Sequence, residues 1–598
     1  MLQRALPTTL SSALSSAPPI SGTLPGEIGI TTEWEETRMS ADVLFTGGPV
    51  FTGVGLPLEG MAVSVVDGRI SAVVPEAETE TLAGPGTRRI DLNGALLAPG
   101  FQDAHVHPVG GGVELLQCNL TEAENAEQAL AAIAAYAAAN PEESWIVGAG
   151  WSMDHYPGGT PTRQLLDAIV PERPVFLMNR DHHGAWANTA AIRLAGLDAS
   201  TPDPEDGRIE READGHPAGT FHEGAAELFA EVKPEVSPDL VYRGLLRAQE
   251  EMLSLGITGW QDAIVGSANA PVPDGTAAYL RAIDEGTLKV HVIGAQWWER
   301  GVGLEQIEGI LARRDERASS GSAGRFELGS VKMMVDGVAE NYTAAMLEPY
   351  RDASGHDTCN HGISFIAPEI MREAVTRLDA AGMQVHFHAL GDRAVRDALD
   401  AVGAARAENG PRDNRHHLAH LQVVAEADAP RFAEVDAVAN LQALWATHED
   451  QLDTLTLPFM QDGAERRQYP FGDLVRGGAK LAAGSDWPVS SADPLAAIAV
   501  AVNRAVPGYD APPLGGEHQR LDLATALAAY TSGSAYVNHR DHDTGHVREG
   551  YLANLVIIEP NPFEVPSDEL FGTAVTSTWV EGEEVYRAGR VPPRTDSM

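Results

Sequence analysis

The chain has 598 residues, 43% of them hydrophobic, and sets 42 Lys and Arg against 85 Asp and Glu, for a formal net charge of −43. That length suits about four domains or one large α/β barrel with attachments, and the ordinary apolar content excludes wholesale disorder. An acidic surface repels phosphate backbones and anionic lipid, which argues against nucleic acid and membrane partners and favours neutral or cationic substrates.

Residues 1–38 are interrupted throughout by Pro and Ser, so a disordered tail is expected there and not a secretion signal. Structure is expected to open at Met39. Over 39–95 the pattern is short and β-like, with a hairpin signal at Asp67-Gly68 between alternating apolar residues. The far end, 537–598, answers with YLANLVIIE and STWVEGEEVYRAG, where Glu581-Gly582 reads as a second tight turn. These two ends are expected to form one small β-sandwich domain.

Between them, 96–536 alternates apolar strands with Ala-rich helical stretches, as a parallel sheet with helical crossovers does. Strands are expected at Leu96–His105, Ile257–Asp262, Val290–Gln296, Ser330–Val335, Met383–His388, His416–His420, Val438–Ala443 and Leu481–Ser485. Eight βα units make a closed barrel, so the expected fold is α/β: a distorted (β/α)8 TIM barrel. The first gap is too long for one crossover helix, and an insertion is expected over about 110–235. The two cysteines, Cys118 and Cys359, stand far apart, which excludes a disulfide framework and makes a reducing cytoplasm the expected compartment. No apolar run approaches the ~18 residues of a membrane span.

The sharpest chemical signal is APGFQDAHVHP, where His105 and His107 alternate at a strand end and so share one face. Two neutral imidazoles on one strand make half a metal site. Later strands add Lys332 in VKMMVDG, His386 and His388 in VHFHALGD, His416, His417 and His420 in RHHLAHLQ, and Asp486 in AAGSDWP. In a barrel these strand ends ring one mouth. Four histidines and a carboxylate suit Zn, Mn, Fe or Ni, and open positions for water mark a catalytic site. By strand parity His386 reads as a packed core histidine, His417 is expected to face the helix layer, and His416 to lie too deep to bind metal.

This order of motifs resembles the amidohydrolase superfamily, in the branch that includes N-substituted formamide deformylase. The resemblance spans about 40–590 and includes HHGAWANTAAIRLAGL, HALGDRAV, GSDWPV and GHVREGYLANLVIIE; Asn554 stands where the family usually has Asp. It implies that His105 and His107 hold the more buried metal, and that His388 and His420 hold a second ion or the exposed side of one. It further implies that Asp486 ligates metal and acts as general base. Lys332 would be a carboxylated lysine bridging two metals, or else a strand-end lysine paired to an acid. His183, in a stretch similar to the family's His-x-x-Trp, reads as a substrate contact or a structural loop histidine. Glu223 matches the family's Gly-x-x-x-Glu segment, or caps a helix. A homodimer is the family expectation.

A divalent metal, most simply Zn, lowers the pKa of bound water from 15.7 to about 7 and so supplies hydroxide near neutrality. Hydrolysis of a C–N bond in a linear, N-substituted, neutral amide follows, with Asp486 passing the proton to the leaving amine. Ester, lactone, carbamate or cyclic-amide hydrolysis stays open on the same ligands, as does a non-catalytic regulatory role. Trp151 and Trp297, with other aromatics near strand ends, are candidates for the wall of a mostly apolar pocket.

Overall fold

The computed structural model describes residues 40–267, 273–320 and 323–589; the tail expected over 1–38 lies outside them. Eight parallel strands form one sheet: β1 (Phe101–Val106), β2 (Ile257–Val265), β3 (His291–Trp297), β4 (Phe326–Met334), β5 (Gln384–Ala389), β6 (His417–His420), β7 (Val438–Leu441) and β8 (Lys480–Ala483). Each is hydrogen-bonded to the next in sequence order, which is the expected TIM-barrel-like fold. Most of their residues are buried, as in parallel strands covered on both faces.

The outer helices follow from local sequence. In Pro238–Ser254, Ser237 caps the N-terminus by accepting the Leu240 N–H, and Pro238 occupies the first turn, where its missing donor costs nothing. Val241, Leu245, Ala248 and Met252 then recur at helical spacing and bury one stripe against the barrel.

The expected first strand, Leu96–His105, is two strands. Leu96–Pro99 pairs antiparallel with Leu555–Glu559, and only Phe101–Val106 enters the barrel. The chain changes sheets at Gly100, whose N–H donates to Asn554 O while that of Phe101 donates to Gly256 O. A Cβ at Gly100 would lie 2.4 Å from Thr258 Oγ1, so only glycine fits the crossing. Asn554 itself accepts the Glu581 N–H.

The two chain ends build two four-stranded sheets, with Leu96–Pro99 joining the C-terminal sheet. Phe45, Val63, Leu97, Ile557 and Trp579 share the core between them. Both expected turns are present: Asp67 and Gly68 have φ of 48° and 74°, Glu581 and Gly582 49° and 75°, the left-handed pairs that two-residue hairpins require. Within the expected insertion, strands between Cys118 and Glu223 form a separate six-stranded mixed sheet.

Strands β8 and β1 meet through the residues just past β8. The Asp486 N–H donates to His105 O (2.8 Å) and the His107 N–H to Trp487 O (2.9 Å). The Asp103 carboxylate accepts the Ser485 N–H at 3.1 Å and the His105 N–H at 2.9 Å. A Cβ at Gly484 would lie 2.5 Å from His105 N and 2.9 Å from Asp103 Oδ1, so the seam needs glycine there. Gly484→Ala is therefore expected to wedge the seam, lowering stability by about 1–3 kcal/mol. Denaturant unfolding would measure this.

Candidate metal centre

The seam delivers Asp486 to the barrel mouth. Its Oδ1 lies 3.0 Å from Nε2 of both His105 and His107, and Oδ2 lies 3.8 Å from His420 Nδ1. The ligand atoms of His105, His107 and Asp486 all fall within 4.8 Å of one another. The His420 ring centre is 4.7 Å from that of His105 and 4.3 Å from that of His388. Lys332 Nζ is 3.1 Å from His105 Nε2. The six residues expected to surround a metal thus converge from β1 and the residue after it, from β4, β5 and β6, and from the loop after β8.

Several of their atoms lack protein partners. His388 Nε2 and both ring nitrogens of His420 are buried without a hydrogen bond. Buried polar atoms left unpaired cost free energy, and the one lone pair that each neutral ring offers fits a cation. Burial and the Lys332 charge hold His105 down to about 3, so its imidazole is neutral. Burial would raise the Asp486 carboxyl, but His105, His107 and His420 hold it well below the usual carboxylate range. Burial lowers Lys332 to about 7. Beneath the site, burial pushes the Asp103 carboxyl up to about 7 despite its hydrogen bonds from Ser485 and His105.

The backbone is strained where it aims these groups. Asp486 (φ 57°) and His420 (φ 79°) both take positive φ, which non-glycine residues rarely adopt. At His420 this corrects the parity reading of β6. His417 faces the barrel interior, its ring centre 4.0 Å from that of His386, and His416 faces the helix layer, bonded to Asp379 at 3.0 Å. Simple alternation would send His420 outward as well, and its left-handed turn brings it back to the mouth. His386 is a hydrogen-bonded core histidine, as read from the sequence, with Nε2 2.7 Å from His105 Nδ1.

His183 and Glu223 come from the insertion. Gly184–Ala187 pairs antiparallel with Pro217–Glu223, and the Glu223 N–H donates to His183 O, which sets the two side chains together. His183 Nδ1 is 2.9 Å from Glu223 Oε2, while Glu223 Oε1 accepts the Thr343 hydroxyl at 2.7 Å. Burial alone would lower the His183 imidazole, but Glu223 raises it to about 9. His183 is therefore a cation at neutral pH, its ring centre 5.6 Å from that of His388.

A cavity of about 380 Å³ opens over the site, with His183, His388, His420 and Asp486 in its wall. Trp151 and Trp297 are placed elsewhere. Trp151 is buried in the insertion core beside Trp186, its indole N–H donating to Leu177 O. Trp297 ends β3 in register with Lys332 and is buried outside the cavity wall. Trp445 does line the cavity, stacked on His420 at 5.4 Å. Charged side chains also line it: Glu122, Asp181, Glu340 and Glu449, with Arg180. Sequence reading passed over these residues. Position was the available signal, since Glu340 and Glu449 lie in the segments that follow β4 and β7, where barrel sites are built.

Comparison with known proteins agrees with this geometry. The amidohydrolase family model matches residues 88–586, and the chain belongs to that family. It is 31% identical to Protein LONG AFTER FAR-RED 3 of Arabidopsis thaliana, over 91% of this chain and 92% of that one. N-substituted formamide deformylase of Arthrobacter pascens is 26% identical over 87% of this chain and 94% of its own. A metal-dependent hydrolase of Pyrococcus furiosus superposes with a TM-score of 0.65 at 25% identity, covering 87% of this chain and all of the other.

If the His183 cation serves the reaction, activity is present below its pKa and falls as pH rises through it. Glu223→Gln removes the charge that holds this pKa up. The alkaline limb of kcat against pH is expected to move to lower pH in that variant, and an unmoved limb would separate His183 from the reaction.

Proposed function

We propose that this protein is a metal-dependent hydrolase of a carbon–nitrogen bond, other than a peptide bond, in a linear N-substituted amide. The observation that carries this reading is a carboxylate held among imidazoles at the wall of a cavity, where buried imidazole nitrogens lack partners. Donors of this nitrogen and oxygen type suit Zn best among the common choices, held by His105, His107, His388, His420 and Asp486. A divalent ion there supplies an acidified water and polarises a carbonyl.

The chain's own groups account for the rest. Asp486 is ionised and adjoins His105 and His107, placed to accept a proton and return it to the leaving nitrogen. The His183 cation, oriented by Glu223, donates a hydrogen bond toward a substrate oxygen that gains negative charge. The acids of the cavity wall, set against Arg180 and His183, suit a neutral or cationic amine portion and oppose polyanions. The name of the Arthrobacter relative, a formamide deformylase, supports an N-formyl or other small acyl group. Lys332, lowered to about 7, presents enough free amine to be carboxylated, which two ions would require. Ester or carbamate hydrolysis remains the rival on the same groups. A regulatory protein on this scaffold would be expected to have lost Asp486 or a histidine, and all are present.

Metal analysis of the purified protein, run beside a screen of N-formyl, N-acyl, ester and carbamate compounds, tests the assignment. Two ions per chain are the expected result if Lys332 is carboxylated, and one ion would demote it. Asp486→Asn is expected to lower kcat by about 10²–10⁴-fold. Unchanged turnover in that variant would remove Asp486 from the mechanism.

A further inference from the structure

Below the metal ligands a buried chain of amides and imidazoles runs across the barrel core. It comprises Gln384, Gln261, His386, His417 and Asn440, none more than 1% exposed. The sense of each hydrogen bond follows from fixed points in the backbone. Gln384 Nε2 lies 2.9 Å from Arg415 O and 2.8 Å from Val537 O. Carbonyl oxygens only accept, so this atom is the amide nitrogen and both its hydrogens are used. Gln384 Oε1 must then accept, which makes the facing atom of Gln261 (2.9 Å) its Nε2. Gln261 Oε1 is left facing His386 Nδ1 at 2.7 Å and His417 Nε2 at 3.0 Å, so both imidazole atoms carry hydrogen.

An independent anchor gives the same answer for His417. Asn440 Nδ2 donates to Ala104 O at 2.9 Å and directs its other hydrogen to His417 Nδ1 at 3.1 Å. His417 is thus a donor at Nε2 and an acceptor at Nδ1, which is one neutral tautomer. His386 is fully buried and has no carboxylate among its hydrogen-bond partners, so a cation there would stand unpaired and His386 too is neutral. With hydrogen on Nδ1, His386 offers a lone pair at Nε2. His105 Nδ1, 2.7 Å away, must donate to it.

We propose that His386 and Gln261 are positioning residues that lock His105 in its Nδ1–H tautomer, so that Nε2 presents a lone pair to the metal before any ion arrives. In the metal-free protein that lone pair faces the Lys332 amine at 3.1 Å, with Asp486 Oδ1 3.0 Å from the same nitrogen. Orienting partners of this kind fix the ring and raise ligand basicity. The inference rests on His105 being a metal ligand and is independent of which bond is hydrolysed.

The test is made on metal-free, full-length protein, by zinc titration in competition with a chromophoric chelator. His386→Phe removes the acceptor and is expected to weaken zinc binding by about 10–100-fold. His386→Gln can place its amide oxygen near the lost Nε2 and is expected to restore most of that affinity, although both variants alter the core. Thermal unfolding compares their folds. In metal-free protein labelled with 15N-histidine, the His105 side chain should show hydrogen on Nδ1 in the parent. The proposal is overturned by hydrogen on Nε2, by undiminished zinc affinity in the Phe variant, or by a Gln variant that is folded yet binds no better than Phe. No readout uses a substrate, so failure of the amide reading would leave these results standing.

Discussion

The structure depends on one closure, the approach of the chain after β8 to β1. A parallel sheet becomes a barrel when its last strand meets its first, and here the meeting is made by backbone bonds at His105 and His107 and by the Asp103 carboxylate. These are the residues, or their immediate neighbours, that present the candidate metal ligands. Barrel integrity and site assembly are therefore one event. Gly484 illustrates the coupling: a single added carbon would meet both the seam backbone and Asp103.

The closure concentrates groups that are unfavourable alone. An ionised carboxylate, neutral imidazoles and a lysine are packed where water is largely excluded, and several ring nitrogens lack protein partners. Such an arrangement persists only where surrounding structure enforces it. The left-handed residues Asp486 and His420 mark the same enforcement in the backbone. The insertion contributes differently. Its own sheet and core carry His183 to the cavity, already paired with Glu223 behind it.

Much of the barrel was legible in the sequence because its strands are continuous apolar runs with a constant function, burial on both faces. The turns at Asp67-Gly68 and Glu581-Gly582 were equally plain, since few residues other than Gly, Asn and Asp tolerate positive φ. Reading failed where a local rule was broken by tertiary need. Leu96–His105 reads as one apolar strand, yet Gly100 hands the chain from one sheet to another. Alternation along His416–His420 misplaces His416 and His417, because the conformation at His420 resets the parity. Tryptophans near strand ends suggested a stacking wall, but Trp151 is consumed by the insertion core.

Residue identity along the chain determined the fold class and the chemistry at hand: imidazoles, a lysine and a carboxylate at the ends of buried strands. Those properties are set by side-chain type and spacing, which are local. Which groups share the cavity, which histidines are spent on holding others, and how each imidazole carries its hydrogen were decided by tertiary structure. They depend on contacts such as Gln261 to Gln384 and Asp486 to His105, between residues more than a hundred positions apart, and no periodicity records such contacts.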